Sequence, residues 1–283
     1  MMRRRLVALA ILLLTSLAMS AAAADPQRVI SLGGDVTEIV YALQAQSELV
    51  GVDLTSTWPA EAGKLAQVGY VRQLAAEGIL ALQPGLILAT HDAGPPVVIR
   101  QLQDAGVKVQ ILPEARDPQA VLAKVRSVGH WLDRDPAAAR LACRLDGQYR
   151  HLAGKVGAMT RHPRVLFLMS AGTAGTLAAG RDTAADAAIR LAGGRNVAVG
   201  FQGYKPLSAE ALAALAPEVI LLMSERAGTS AGKAVLSLPG IADTPAARKH
   251  RLITVDGQAL LGFGMRNAER ELDLQQQLAA VAP

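Results

Sequence analysis

Short, wholly apolar runs alternate with stretches of helical spacing along the first half of the chain. Apolar strands separated by helices are typical of a parallel sheet whose two faces are both covered. The pattern therefore predicts an α/β fold, and in such folds ligands bind at the carboxyl ends of the strands. The predicted strands are Arg28–Leu32, Leu49–Val52, Leu86–Ala89 and Val107–Leu112, and the predicted helices are Val36–Leu43, Glu77–Leu82 and Val97–Ala105.

The same order of features occurs a second time. The two copies share a Gly-Tyr pair, and after it they align with an offset of one residue. Four features in one order indicate a duplication, so we expect two similar lobes, each with a parallel sheet flanked by helices. The first copy reads Gly69-Tyr70, Leu74-Ala75-Ala76-Glu77, Leu82-Gln83-Pro84 and an apolar strand, and the second reads Gly203-Tyr204, Leu207-Ser208-Ala209-Glu210, Leu215-Ala216-Pro217 and an apolar strand.

Two Asp-Pro pairs, Asp117-Pro118 and Asp135-Pro136, lie between the copies. Each suits a helix start with aspartate as the N-cap and proline in the first helical position. The second pair begins an Ala- and Leu-rich stretch that predicts one long helix, roughly 35 Å at about 1.5 Å per residue. We expect it to be the only connection between the lobes and to permit small rocking rather than wide closure. The expected division is a first lobe at 25–134, a linking helix at 135–159 and a second lobe at 160–283.

The first 24 residues differ from the rest of the chain. Arg3-Arg4-Arg5 is followed by the apolar run Leu6–Met19 and then by Ala22 and Ala24 in an A-x-A arrangement. This order of basic, apolar and small residues is typical of a cleaved signal peptide. The alternative is a single transmembrane anchor, but the apolar run is shorter than the ~20 residues that cross a bilayer. The pattern therefore predicts an exported protein with the periplasm as its location.

Composition excludes several kinds of protein. Of the 283 residues 51% are apolar, and the single cysteine, Cys143, excludes a disulfide framework and a multi-cysteine metal site. The leader holds three arginines, so the net charge of +5 falls to about +2 without it, and aromatic residues are only 3%, which argues against a nucleic-acid partner. The sequence has no His-Glu-x-x-His and no phosphate loop, so we expect no catalytic residues, and an exported hydrolase is a weak alternative.

The leader, the duplicated lobes and the single linking helix resemble the substrate-binding proteins of ABC importers for iron siderophores, cobalamin and haem. Within that family the chain most closely resembles the periplasmic haem-binding proteins, because the Gly-Tyr-x-Arg-Gln-Leu pattern at 69–74 is typical of haem binders. Met265 departs from the family pattern, since a proline usually stands there before the arginine. The resemblance covers nearly the whole chain after the leader, and the matching segments are Val68–Leu74, Ala179–Asp186, Gly203–Glu210 and Leu260–Gly264.

The resemblance implies that the protein captures ferric haem between its lobes and delivers it to an ABC permease dimer. Tyr70 would be the axial ligand of the iron, and Arg72 would donate a hydrogen bond to its phenolate. The chemistry agrees, since ferric iron favours an anionic oxygen and a nearby cation helps a phenol to ionise. The structural alternative for Tyr70 is an ordinary half-buried tyrosine. Tyr204, at the duplicated position, is the weaker candidate ligand and would rather pack on the porphyrin from the opposite lobe.

Three basic residues are weaker candidates for binding the haem propionates: Arg226, which follows a predicted strand, Lys205 and Arg181. Each of them has the alternative of a solvated surface position. The Arg181-Asp182-Thr183 segment is also explained as a helix start that Thr183 or Asp182 caps. A ferric siderophore or cobalamin is the alternative cargo on the same scaffold.

Glu77 and Glu210 hold matching positions at the starts of predicted helices. A carboxylate there interacts favourably with the helix dipole, which is a sufficient structural reason for both. The resemblance implies a second role, docking into arginine pockets of the two permease subunits, and a pair related by duplication suits a two-fold partner. We expect a monomer with one bound haem, since no histidine lies at 170–176, where some relatives hold a second haem.

Overall fold

A computed structural model describes residues 27–170, 176–224 and 234–281. The expected signal peptide at 1–24 and the candidate Arg226 lie outside these residues. Four parallel strands form the first sheet in the spatial order β2-β1-β3-β4. These are β1 (Val29–Leu32), β2 (Leu49–Val52), β3 (Leu86–Ala89) and β4 (Lys108–Ile111), with the helices α1 (Gly34–Ala42), α2 (Ala76–Leu80) and α3 (Pro96–Asp104).

Helices cover both faces of this sheet, which explains why its central strands are apolar throughout. Val29 and Leu86 belong to an apolar cluster with α1, whereas Ile30 and Ile87 belong to a second cluster with α2 and α3. Successive side chains of a strand point to opposite faces, so β1 and β3 contribute to both clusters. The observed elements begin and end within about two residues of the predicted ones.

Two consecutive helices, α4 (Pro118–Trp131) and α5 (Asp135–Gly157), follow the first lobe. Asp117 caps α4 by accepting a hydrogen bond from the Ala120 amide at 2.8 Å, as the Asp-Pro pair predicts. The cap predicted at Asp135 is wrong by one residue, because the N-cap is Arg134 and Asp135 lies in the first turn. The observed α5 ends two residues before Met159, the predicted end of the linking helix.

The second lobe contains a mixed sheet. Its strands are β5 (Arg164–Ser170), β6 (Leu177–Ala179), β7 (Arg195–Asn196), β8 (Tyr204–Pro206), β9 (Val219–Ser224) and β10 (Leu252–Asp256), in the order β10-β9-β5-β6-β8, with β7 beside β5. β9 and β10 continue the expected parallel pattern, but β6 is antiparallel to both β5 and β8. Only six residues separate β5 from β6, and a parallel crossover needs a dozen or more. The expectation of a parallel sheet therefore fails at this edge.

The helices of the second half do not all stay with the second lobe. They are α6 (Ala184–Leu191), α7 (Ala209–Leu215), α8 (Pro245–Arg248), α9 (Gly257–Leu261) and α10 (Asn267–Val281). The long C-terminal helix α10 packs along α5, and α9 contacts α1 of the first lobe. The last part of the chain therefore joins the lobes side by side, in addition to the linking helix.

A buried ion pair lies in this seam between the lobes. Lys124 on α4 donates to the Asp35 carboxylate at 2.6 Å and lies 3.3 Å from the carbonyl oxygens of Gly262 and Phe263. Its side chain is only 3% exposed. Gly264 approaches so closely that a Cβ there would lie 3.1 Å from the Asp35 backbone. Gly264 of the Leu260–Gly264 segment therefore has a structural reason, which is close packing on the first lobe.

A second carboxyl group is buried without a cation. Glu271 on α10 is fully buried, and one of its oxygens has no hydrogen-bond partner. Burial raises the pKa of Glu271 well above its usual value, although a hydrogen bond from Asn267 opposes the rise. The neutral acid is therefore the favoured form of Glu271 in the folded protein.

We expect Lys124→Met to destabilise the folded protein by about 3–5 kcal/mol, because it leaves the Asp35 carboxylate buried without its cation. Chemical denaturation followed by circular dichroism measures the loss. Arg150→Ala is the control, since Arg150 pairs with Asp146 at 3.1 Å on an exposed face of α5, and exposed pairs contribute about 0.2–1 kcal/mol. Equal losses in the two variants would contradict the importance of the buried pair.

Glu271→Gln should change how stability depends on pH. Because the folded protein keeps the Glu271 proton to higher pH than the unfolded chain, wild-type stability declines as the pH rises above the ordinary carboxyl pKa of 4.5. Glutamine is neutral at every pH, so the free energy of unfolding of the variant should increase relative to that of wild type as the pH rises. Chemical denaturation at successive pH values measures this difference. Glu269→Gln, exposed on the same helix, is the control. If the free energies of unfolding of wild type and Glu271→Gln depend on pH in the same way, Glu271 is not neutral in the folded protein.

Candidate ligand-binding cleft

Loops at the carboxyl ends of the first-lobe strands face residues of the second half of the chain. At one end, Arg266, which follows α9, lies over the ring of Trp58 in the loop after β2, with 4.9 Å between its guanidinium carbon and the ring centre. At the other end, the positive charge of Arg116, which follows β4, acts to lower the pKa of Tyr204 at the start of β8. These residues line a candidate cleft between the lobes, which runs along the first-sheet edge from the loop after β2 to the loop after β4.

The segment that carries Tyr70 crosses the first-lobe wall of this cleft. On the β2 side the Leu54 amide donates to the Gly69 carbonyl at 2.9 Å, and on the β3 side the Gly94 amide donates to the Val71 carbonyl at 2.9 Å. Gly69 has a φ of +96°, which glycine adopts without strain. Tyr70 is half-buried against the apolar cluster of α2 and α3. These contacts hold Tyr70 over the middle of the sheet edge.

Arg72 contacts Tyr70 as the sequence predicts. One terminal guanidinium nitrogen donates to the Tyr70 hydroxyl oxygen, and Nε donates to Asp92 Oδ2 at 2.7 Å. Burial lowers the pKa of Arg72, but the charges and hydrogen bonds of Asp92 and Tyr70 outweigh it, so the pKa is raised. The Arg72 guanidinium therefore places a positive charge next to the Tyr70 hydroxyl oxygen, in a position that Asp92 fixes. Asp92, which orients it, was missed because twenty residues separate the two in sequence.

Tyr204 lies on the opposite wall, at the N-terminal end of α6. Burial raises the pKa of its hydroxyl, although the Ala185 backbone, the Thr183 side chain and the charges of Arg116 and Arg72 act in the other direction. Tyr204 is thus harder to ionise than an exposed tyrosine, which favours a secondary role. Because Arg72 donates a hydrogen bond to Tyr70 and its charge also acts on Tyr204, these three side chains belong to one candidate cleft.

Arg116 is a cleft residue that sequence reasoning missed. Its Nε donates to Glu114 Oε1 at 2.7 Å, and His91 Nε2 lies 3.5 Å from the same carboxylate oxygen. His91 follows β3, and the other two follow β4, so all three stand at carboxyl ends of strands. The available signal was the cluster of charged residues directly after a predicted strand, the position where α/β sheets bind ligands.

Lys205 and Arg181 are not brought to the Tyr70 side of the cleft. Adjacent residues of a strand point to opposite faces. Lys205 lies over the Phe201 ring at 5.7 Å, and Phe201 packs against a different apolar cluster from the one that Tyr204 contacts. Arg181 lines a separate cavity of about 330 Å³ together with other charged residues of α6 and the following loop. Thr183 caps α6 by accepting from the Asp186 amide at 3.0 Å, so the helix-start explanation of this segment is confirmed.

Glu77 and Glu210 occupy the equivalent positions that the repeat predicts. Both are exposed in the first turn of their helices, α2 and α7. Hydrogen bonds from the Glu210 backbone amide and from the Ser208 side chain hold the pKa of the Glu210 carboxyl below its usual value. Both carboxylates are therefore available on the surface, one on each lobe.

Within 27–170, 176–224 and 234–281 no group of three or more His, Cys, Asp and Glu side chains could hold a metal ion. The helices in the same part of the chain are too short or too polar to cross a membrane.

The fold and the cleft define a two-lobed α/β ligand-binding protein. The chain belongs to the periplasmic binding protein family, whose model matches residues 29–259. The heme-binding protein BhuT, solved in complex with two hemes, is 41% identical, with a TM-score of 0.85 over 90% of this chain and 99% of BhuT. The heme-binding protein RhuT from Roseiflexus sp. RS-1, solved in apo form, is 37% identical, with a TM-score of 0.86 over 92% of this chain and 100% of RhuT.

Cobalamin binders are related as well. The vitamin B12-binding protein of Pectobacterium atrosepticum is 31% identical over 181 residues, which are 63% of this chain and 64% of that protein. The expected family resemblance is therefore confirmed, and its members named here bind different cargoes.

Proposed function

We propose that this protein binds ferric haem in the cleft between its lobes and delivers it to the permease of an ABC importer. The observation that carries the proposal is the Tyr70 hydroxyl in the cleft, which accepts a hydrogen bond from Arg72 while Asp92 holds the guanidinium. The names of BhuT and RhuT, periplasmic heme-binding proteins at 41% and 37% identity, support the same cargo here.

The chemistry assigns different tasks to the three side chains. Tyr70 supplies the anionic oxygen that ferric iron prefers, and tyrosine is an established ligand type for haem iron. A free phenol ionises only near pH 10, so ligation at neutral pH needs a cation beside it as well as the metal. Arg72 is that cation, and its pairing with Asp92 orients the donor before haem arrives. Haem therefore meets a ligand whose partner is already in place.

Cobalamin is the second candidate cargo, because the relative from Pectobacterium atrosepticum is named a vitamin B12-binding protein. Separate titrations with hemin and with cyanocobalamin distinguish the two. A new Soret band at stoichiometric hemin, without binding of cyanocobalamin, supports haem. Binding of cyanocobalamin alone would replace the proposal.

The proposal extends to location and partners. Residues 1–24 would export the protein to the periplasm and be cleaved. The monomer would carry one haem, in contrast to the two in the BhuT complex, because no histidine lies at 170–176. Glu77 and Glu210, one on each lobe, would contact the two permease subunits.

A hydrolase is the alternative of another class. A Gly-x-Ser-x-Gly sequence, the pattern of a hydrolase nucleophile, occurs at Gly228–Gly232, outside the described residues. Membership in a binding-protein family argues against an enzyme.

Tyr70→Phe removes only the oxygen that would bind iron. We expect it to weaken ferric haem binding by about 100-fold, roughly 2.8 kcal/mol, and to abolish the high-spin ferric spectrum. Tyr204→Phe removes the equivalent oxygen from the other lobe and should cost affinity while preserving that spectrum. Titrations followed by absorbance measure both effects. If the spectrum depends on Tyr204 and not on Tyr70, the ligand lies on the second lobe and the assignment fails.

The double variant Glu77→Ala/Glu210→Ala should leave haem affinity unchanged and reduce haem uptake through the cognate permease in proteoliposomes by at least about ten-fold, because each lobe loses its charged contact. Glu269→Ala, an exposed carboxylate on α10, is the control. Wild-type uptake by the double variant would remove both residues from the docking surface.

A further inference from the structure

The two ends of the first-lobe wall differ in chemistry. Leu54 and Trp58 lie in the loop after β2, whereas Arg116 and Glu114 follow β4. Strands β2 and β4 are the outer strands of a four-stranded sheet, so three strand spacings of about 4.8 Å place them about 14 Å apart. That distance is comparable with the width of a porphyrin with its substituents. Tyr70 lies between the two ends.

The end beside β2 is apolar and open. Leu54 is 57% exposed and Trp58 is 39% exposed, and they are two of the four exposed large apolar side chains among the described residues. Arg266 covers Trp58, but Glu38 binds its guanidinium at 2.9 Å, and the nearby Asp256 adds a second carboxylate. An exposed apolar surface beside a ligand site indicates contact with the apolar part of the ligand.

The end beside β4 offers a cation. Arg116 binds Glu114 through Nε alone, so its two terminal nitrogens have no carboxylate partner among the described residues. A guanidinium with free terminal N–H groups is suited to a carboxylate. Arg72, the neighbouring arginine, is already occupied by Asp92 and Tyr70. Glu114 and His91 also lie at this end, 3.5 Å apart.

We propose, resting on the haem function above, that haem binds in one orientation, with its propionate edge at Arg116 and its opposite, apolar edge on Leu54 and Trp58. Haem carries both carboxylates on one edge and vinyl and methyl groups on the other. The reversed orientation would place the propionates beside Asp256 and the apolar wall, and would place the vinyl groups against the Arg116–Glu114 pair. Both contacts are unfavourable because charges would lose water without gaining a partner.

Ferric haem and haem dimethyl ester, whose propionates are uncharged, separate the two edges. We expect Arg116→Ala to weaken haem binding by about ten-fold and to change binding of the ester by less than about two-fold. Leu54→Asn should weaken both ligands to the same extent, about five-fold, because it removes apolar contact only. Arg126→Ala and Val97→Asn, exposed residues of α4 and α3, are the matched controls and should match wild type with both ligands.

Each outcome decides one claim. If Arg116→Ala still prefers haem over the ester as strongly as wild type, or if Leu54→Asn alters that preference, the orientation is overturned while the haem function stands. If wild type binds neither ligand, the haem function itself fails, and the orientation fails with it. Both variants replace exposed side chains, and thermal unfolding verifies that each is folded before titration.

Discussion

The position of one guanidinium organises the cleft. Arg72 donates to Tyr70, pairs with Asp92 and acts electrostatically on Tyr204 of the other lobe. A mobile arginine would give a phenol little help, because the long side chain loses entropy on forming each contact. Asp92 follows β3, while the Tyr70 segment is hydrogen-bonded between the ends of β2 and β3. The arrangement of Tyr70, Arg72 and Asp92 therefore depends on the strand order of the first sheet, because that order brings separate loops to one edge.

Sequence reasoning succeeded where the determinant is local. Apolar runs placed the first-lobe strands within about two residues, and the i,i+2 spacing of Tyr70 and Arg72 placed them on the same side of an extended segment. The Asp117 and Thr183 caps were predicted for the same reason, since a cap contacts only the next turn.

It failed where the determinant is tertiary. Asp92 and Arg116 reach the cleft only because β3 and β4 are neighbours in the sheet, and no spacing in the sequence reports that. Lys205 was a weaker candidate for the haem propionates, but strand alternation directs its side chain to the face opposite Tyr204. The antiparallel edge of the second sheet was missed because its strands are only three residues long.

The seam between the lobes also bears on how cargo would be exchanged. Lys124 with Asp35, and Arg266 with Glu38, join the C-terminal part of the chain to the first lobe through contacts within the protein. A binding surface assembled in advance loses little conformational freedom when a ligand arrives, which favours tight association. The same rigidity slows spontaneous escape. Release of the ligand would then require a partner protein that binds both lobes and moves them apart against the buried ion pairs.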